Sequence, residues 1–563
     1  MTHYAVYLEL GPAGDCLAHV PSLPGCFVRA PTRDEALAAL PDVIRAYHAW
    51  LRQHGEELSD PADPSTLDVA AISAGFGPVQ HGDKAALFAP DRVPMHRAEL
   101  EVYLRRAAYA RADLLTLVRD LPGQVLDWQA GADSTSIRQI LRHVGNVEQW
   151  YVSRLVDPAT LPPEWEHDED MPIFAFLEME RRTALERLRR LTDQELTAIC
   201  YPTRWTGHPD EPWTARKALR RMLEHEREHT DHIREVLASW RSQLLARMAA
   251  ERAGLLWPLV GLDEEALTRY PVFDAYTAKD LLAHVAGWDE LFAERVELIL
   301  AGRQQEIAGV ELATRNAALH TERKDWPLEQ VLDASMRARA AFLSVLSRVS
   351  DADLHRRRRL PVGRRPIRVW ATWRYRHDAE HAADLAKWRK AAQFKHRAGP
   401  KSLLVAALHA GREELLATVE LVPAADRATR PVCGEWTTKD LLGHIADWEW
   451  HAVRGLRMLA AGQTPTVDVD GTVDDWNREH AAARRGQPWD AVWVDLGAAR
   501  LALLEALNRL SQEGLARPFA SRWSAKDSAY EWVRVCAGHD REHAAGLRAQ
   551  LGLRWPRRLL RAP

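Results

Sequence analysis

Cysteine is scarce in this chain: five residues in 563, Cys16, Cys26, Cys200, Cys433 and Cys536, odd in number, widely separated and never in a C-x-x-C pair. That spacing speaks against a disulfide framework or a thiolate zinc cluster and suits a reducing, cytoplasmic setting. A surplus of charge is also missing, with 75 Lys+Arg against 79 Asp+Glu and a net charge of −4. No global basic field exists to hold nucleic acid or an anionic membrane, so neither is an expected partner. Nowhere do 18 apolar residues run uninterrupted, and the amino-terminal MTHYAVYLELG has no basic region leading into an apolar one. Secretion and membrane spanning are therefore disfavoured. Tryptophan, by contrast, is abundant at 22 residues. Several stand near expected helix starts (Trp213, Trp436, Trp523) and read as core anchors.

At roughly 100 to 200 residues per domain, the length implies about four domains. Residues 1 to 75 begin with strand-like alternation (Tyr4, Val6, Leu8, Leu10, then Cys16, Ala18, Val20), and a helical stretch follows over 34–54. After a polar, Gly-containing linker over 73–92 the apolar period becomes 3.6 and stays there. The helical remainder contains an internal repeat. SIRQILRHVGNVEQW, TAKDLLAHVAGWDEL and TTKDLLGHIADWEWH align without gaps on His143, His284 and His444, and HEREHTDHI, HDAEHAADL and HDREHAAGL follow in the same order. With one amphipathic stretch before each lone His and another within each long gap, every repeat has four helices. The expected organisation is mainly α: an α+β domain with its linker at 1–92, then four-helix bundles at 93–240, 241–397 and 398–563.

The helix bearing each lone His opens on a capping box or its Asp variant: Ser136 with Gln139, Thr277 with Asp280, Thr437 with Asp440. The His then lies two turns inside the helix, on the face of Ile140, Leu281 or Leu441, directed into the bundle. Two His at i and i+4 sit one turn apart on one helix face, so their imidazoles converge. His225/His229, His377/His381 and His539/His543 have that spacing and stand 82, 93 and 95 residues after the lone His. A third imidazole from the neighbouring helix makes a three-His site with open positions, the arrangement of catalytic rather than structural metal centres. The expected ligand sets are His143, His225 and His229; His284, His377 and His381; and His444, His539 and His543. Any one His in a chain of 24 reads as an ordinary surface or core residue. The threefold recurrence is what favours the metal reading.

HEREH also fits the zincin pattern H-E-x-x-H, but the residue after the first His is Glu226 in one repeat and Asp378 or Asp540 in the others, so a shared general base is not expected there. Glu228, Glu380 and Glu542 read as helix-surface or outer-shell acids. The acid five residues after the lone His (Glu148, Asp289, Glu449) is common to all three repeats and reads as either an outer-shell group or a salt-bridge partner. Its rotation of about 140° from the His argues against a fourth ligand. Cys536 reads as core. The basic run His355 to Arg359, with Arg364, Arg365 and Arg368, reads as a solvated connection between two helices of the second bundle, with a site for an anionic substrate or nucleic acid as the alternative.

A lone helix-borne His in KDLLAHVAGW followed by HDxxH resembles the DinB/YfiT-like superfamily of four-helix bundles, over about 97–555 in three copies. The resemblance implies one divalent ion per bundle at most, zinc or nickel first and iron or manganese next, held by the nine His named. It also implies relatives that are thiol-dependent S-transferases, maleylpyruvate isomerases or hydrolases protecting against a reactive natural product. The first copy departs from the pattern: Val147 stands where the others have Trp288 and Trp448. Separately, YAVYLEL, VPSLPGC (Pro21, Leu23, Pro24, Gly25, Cys26) and TRDEALAAL (Glu35, Ala36) resemble the HicB-like antitoxin fold, but with no DNA-binding segment after them. That domain reads as a recognition or packing module for a protein partner. The expectation is a cytoplasmic metal-dependent hydrolase or thiol S-transferase acting on a small electrophilic or toxic molecule. The competing expectation is a non-catalytic protein, either a small-molecule sequestering one or a toxin–antitoxin-like scaffold. Catalytic acid/base residues, substrate, thiol cosubstrate and oligomeric state are not legible in the sequence.

Overall fold

The computed structural model describes residues 3–57, 66–74, 84–131, 134–160, 170–465, 471–524 and 526–553. The chain divides into two compact units, Met1–Val236 and Leu237–Pro563.

The first unit opens with strands β1 (His3–Leu10), β2 (Cys16–His19) and β3 (Phe27–Ala30), helix α1 (Arg33–Gln53) and strand β4 (Thr66–Ala74). The sheet order is β3-β2-β1-β4, antiparallel except that β4 runs parallel to β1. Period-two alternation buries Tyr4, Val6 and Leu8 of β1 against Ala36, Leu40, Ile44 and Tyr47 of α1. Thr32 caps α1 by accepting a hydrogen bond from the Glu35 amide. Sequence reading missed β4, although TLDVAAISA alternates along its length.

The same unit continues with α2 (Arg97–Val118), α3 (Ile137–Ser153) and α4 (Ile173–Arg190), and α5 (Ala215–Leu256) runs on into the second unit. The expected division at 240/241 lies inside α5. The small domain packs on the part of α5 within its own unit. His19 lies 3.0 Å from both Glu9 and Glu224, and Arg29 pairs with Glu228. Gly25, with a φ of +90°, brings its backbone against Leu223, where a Cβ would lie 2.8 Å from that side chain. Burial opposes ionisation of Glu9, but His19, Arg221 and Arg220 hold its carboxyl down at about 2.

The second unit has its part of α5, then α6 (Ala278–Leu300), α7 (Leu328–Ser347), α8 (Arg368–Ala392), α9 (Lys401–Val419), α10 (Thr438–Ala460), α11 (Trp489–Asn508) and α12 (Ala529–Gln550). Shorter helices, Leu312–Arg323 and Val473–Arg484, follow α6 and α10. Leu403, Ala406 and Ala410 of α9 join a core with Leu281, Val285, Val331 and Leu385, so the second and third bundles share buried apolar surface. Three capping boxes stand where expected, at Ser136, Thr277 and Thr437.

Two expectations need correction. Trp523 is 45% exposed and is no core anchor, whereas Trp213 is buried. The basic run is not a solvated loop throughout: Arg358–Leu360 and Gly363–Arg365 pair as a hairpin, while His355 and Arg368 at its two ends are buried. Arg357, Arg359, Arg364 and Arg365 are exposed, and Arg358 pairs with Asp353.

Candidate metal centres

Each lone His meets its pair. In the first bundle His143 Nε2 lies 3.0 Å from His225 Nε2, which lies 3.1 Å from His229 Nε2. The second gives 2.9 Å for His284 to His377 and 3.1 Å for His377 to His381. The third gives 3.0 Å for His444 to His539 and 2.8 Å for His539 to His543. The first His of each pair is thus the hub. A tetrahedral centre with nitrogens at 2.0–2.1 Å separates them by about 3.3 Å, and the donor nitrogens of each triad lie within 4.8 Å of one another, close enough to converge on one ion. The structure brings together all nine histidines singled out in the sequence, in the three expected groups.

Burial holds all nine imidazoles below their ordinary pKa. His229 falls to about 3 through burial and then His143, and His284 to about 3 through burial and then His381. Burial and then the other two members of the third triad hold His444 at about 3, while burial and then His543 put His539 at about 4. At neutral pH these rings are uncharged and each keeps one nitrogen lone pair, the form a cation needs. The surroundings differ between bundles. His143 is exposed at the surface, whereas His444 is buried with the Trp436 ring centred 5.0 Å away. In the second bundle Trp373 stacks on His377 at 4.6 Å and Phe273 on His381 at 6.2 Å. Trp288 and Trp448 donate their indole N–H to Asn316 and Asn477 at 3.1 and 3.0 Å, an arrangement that Val147 denies to the first bundle.

Beside each triad lies a buried ion network that the sequence reading left unresolved. Glu148 and Glu226 are both bridged by Arg111 of α2 and Arg181 of α4. Asp289 and Asp378 are bridged by Arg252 of α5 and Arg339 of α7, and Glu449 and Asp540 by Arg412 of α9 and Arg500 of α11. All six acids are at most 3% exposed. The acid five residues after the lone His is therefore a salt-bridge partner and not a fourth ligand. Glu226 of HEREH is likewise held by two guanidinium groups, which removes it as a zincin-type base. The signal for these arginines was present: Arg111, Arg252 and Arg412 each precede their acid by 37 residues. Cys536 is core, and burial pushes its thiol well up.

The three sites do not suit a cation equally. In the first and third, the residues three before the hub are Met222 and Cys536, which carry no guanidinium. Arg221 turns to Glu224 at 2.8 Å and Arg29 to Glu228. In the second, that position is Arg374, which donates to His377 Nδ1 at 2.8 Å.

A family model described as the DinB superfamily matches residues 106–233, 247–385 and 407–546, more than half of the chain. The N-terminal region is similar to UPF0150 protein Ta0767 of Thermoplasma acidophilum, 38% identical over 65 residues, which is 11% of this chain and 94% of that protein. No solved structure matches. No helix of the described residues is long and apolar enough to cross a membrane. With a HicB-like domain in front and three tandem repeats, each carrying a His triad, the chain belongs to the DinB superfamily.

Proposed function

We propose that this chain is a divalent-metal-dependent hydrolase or thiol S-transferase of the DinB type, acting on a small electrophilic molecule at its three-His sites. One observation carries the reading: at each site three neutral imidazoles converge while the two acids next to them in the helices, one five residues after the lone His and one directly after the hub, are held by arginines. The three imidazoles of a triad would hold a divalent ion without adding charge to it, and such an ion would supply Lewis-acid activation of a water or thiol nucleophile. The protein's part is to hold three nitrogens in one place, keep them unprotonated and fix the helices that carry them. The networks do the last of these, since each ties four helical positions into one hydrogen-bonded group. Trp373 and Phe273 in the second bundle and Trp436 in the third give the triads aromatic neighbours suited to a compact apolar substrate. Zinc and nickel suit an imidazole set of this kind.

The test is turnover. Chain loaded with zinc or nickel, and chain stripped by chelator, are each offered an epoxide or an activated alkyl halide with and without a low-molecular-weight thiol. Product that accumulates past one equivalent per bundle in the loaded chain alone supports the enzyme. Uptake that saturates at one equivalent supports sequestration.

A further inference from the structure

We infer that the three triads are inequivalent as cation sites, and that Arg374 makes the second bundle the weak one. The inference rests on the metal-site reading above and deepens it.

A guanidinium only donates. Arg374 lies fully buried and gives its Nε to Asp289 at 2.6 Å, one terminal nitrogen to Asp378 at 3.1 Å and the other to His377 Nδ1 at 2.8 Å. Nδ1 of His377 must therefore accept, so the neutral ring carries its proton on Nε2. That atom lies 2.9 Å from His284 Nε2 and 3.1 Å from His381 Nε2, close enough to donate to the other two rings. The second triad is in this way satisfied by itself; the hub nitrogens of the other triads make equally close contacts, at 2.8–3.1 Å, but there the residue three positions before the hub is no arginine and does not fix the hub proton on Nε2. A cation held at His377 Nε2 would require either that the ring lose both protons or that an N–H on Nδ1 face the N–H of Arg374.

Charge count points the same way. The first and third networks balance two acids with two arginines: Glu148 and Glu226 with Arg111 and Arg181, and Glu449 and Asp540 with Arg412 and Arg500. The second has the same two acid positions, Asp289 and Asp378, ion-paired to three arginines, Arg252, Arg339 and Arg374, with Glu413 of α9 facing Arg252 and Arg339. The extra cation is the one against the hub. Its counterparts, Met222 and Cys536, bring no charge. Arg252 and Arg339 suffice to pair both acids, as their counterparts do elsewhere, so Arg374 is not needed to neutralise the network.

Changing a hydrogen-bond partner behind a ligating His alters metal affinity by about 10- to 100-fold, which sets the expected size of the effect. The full-length chain is stripped with chelator, reloaded with zinc and titrated against a competing chromophoric chelator, with bound zinc counted by elemental analysis. The expected result is two tight ions per chain and a third bound about 10- to 100-fold more weakly. Arg374→Met, which installs the residue of the first bundle, raises the count to three tight ions. His377→Ala leaves two tight ions, whereas His225→Ala and His539→Ala each leave one. The His variants decide the matter even if Arg374→Met does not fold. Three equivalent tight ions in the natural chain, or loss of a tight ion in His377→Ala, overturns the inference while the metal-site reading stands. No tight zinc at all overturns that reading itself.

Discussion

The second and third bundles share a core and a repeat pattern, yet their buried charges are arranged differently. In the third, Arg412 and Arg500 close a balanced ring with Glu449 and Asp540 beside the hub His539, which has Cys536 three residues before it. In the second, Arg374 adds a third guanidinium and ends on the hub, His377. The ring is thus a scaffold common to the bundles, and the residue three positions before the hub sets what the triad is free to bind. Each bundle holds its charges for packing with one set of residues and its imidazoles for ligation with another.

The largest effect that breaks this comparison comes from opening a balanced ring. Arg412→Ala leaves Glu449 and Asp540 buried with Arg500 alone and should cost about 3–5 kcal/mol, whereas Arg374→Met leaves a complete ring behind. Urea unfolding of the two variants should show the first far less stable and the second much closer to the parent. A similar loss in both would mean that Arg374 is structural in the sense that Arg412 is.

Acid should act on all three bundles together. The triad imidazoles sit below their ordinary pKa, so the folded chain takes up fewer protons than the unfolded one as pH falls. The stabilisation from keeping these rings neutral is full above about 6.5 and is lost progressively as pH drops towards the folded values of about 3 to 4. Urea midpoints measured at pH 7.5, 6 and 5 without metal should fall in that order. A midpoint that rose on acidification would contradict the buried, neutral triads.

The smallest effect sharpens the difference between the first bundle and the others. Asn316→Ala removes the acceptor of the Trp288 indole N–H and should cost about 1 kcal/mol, and Asn477→Ala should do the same for Trp448. Val147→Trp in the first bundle should give no matching gain, because Val147 packs against an apolar cluster. Thermal denaturation of the three variants reads this directly.

Much of this architecture is legible in the sequence because helices write their contacts at fixed spacing. The i, i+4 His pairs, the capping boxes and the threefold order of His143, His284 and His444 survive divergence of the residues around them. What escaped reading joins different helices. Arg181 and Glu148, or Arg500 and Asp540, meet only once the bundle closes, and nothing local marks a buried arginine apart from an exposed one. Arg111, Arg252 and Arg412 were an exception left unread, being in register with the repeat. Arg374 breaks the repeat, and only the structure shows that it points at His377. β4 was hidden for another reason: its pairing with β1 is parallel and long-range, with no turn between them to announce it.

The claim that these triads are metal centres is tested most directly by the metal content of two chains purified side by side without added chelator. One is the natural sequence and the other carries His229→Ala and His543→Ala together. The account predicts that tightly held divalent metal falls from about two ions per chain to about none, with helical content unchanged by circular dichroism. Equal metal in the two chains, or none in the natural one after reloading, would contradict it.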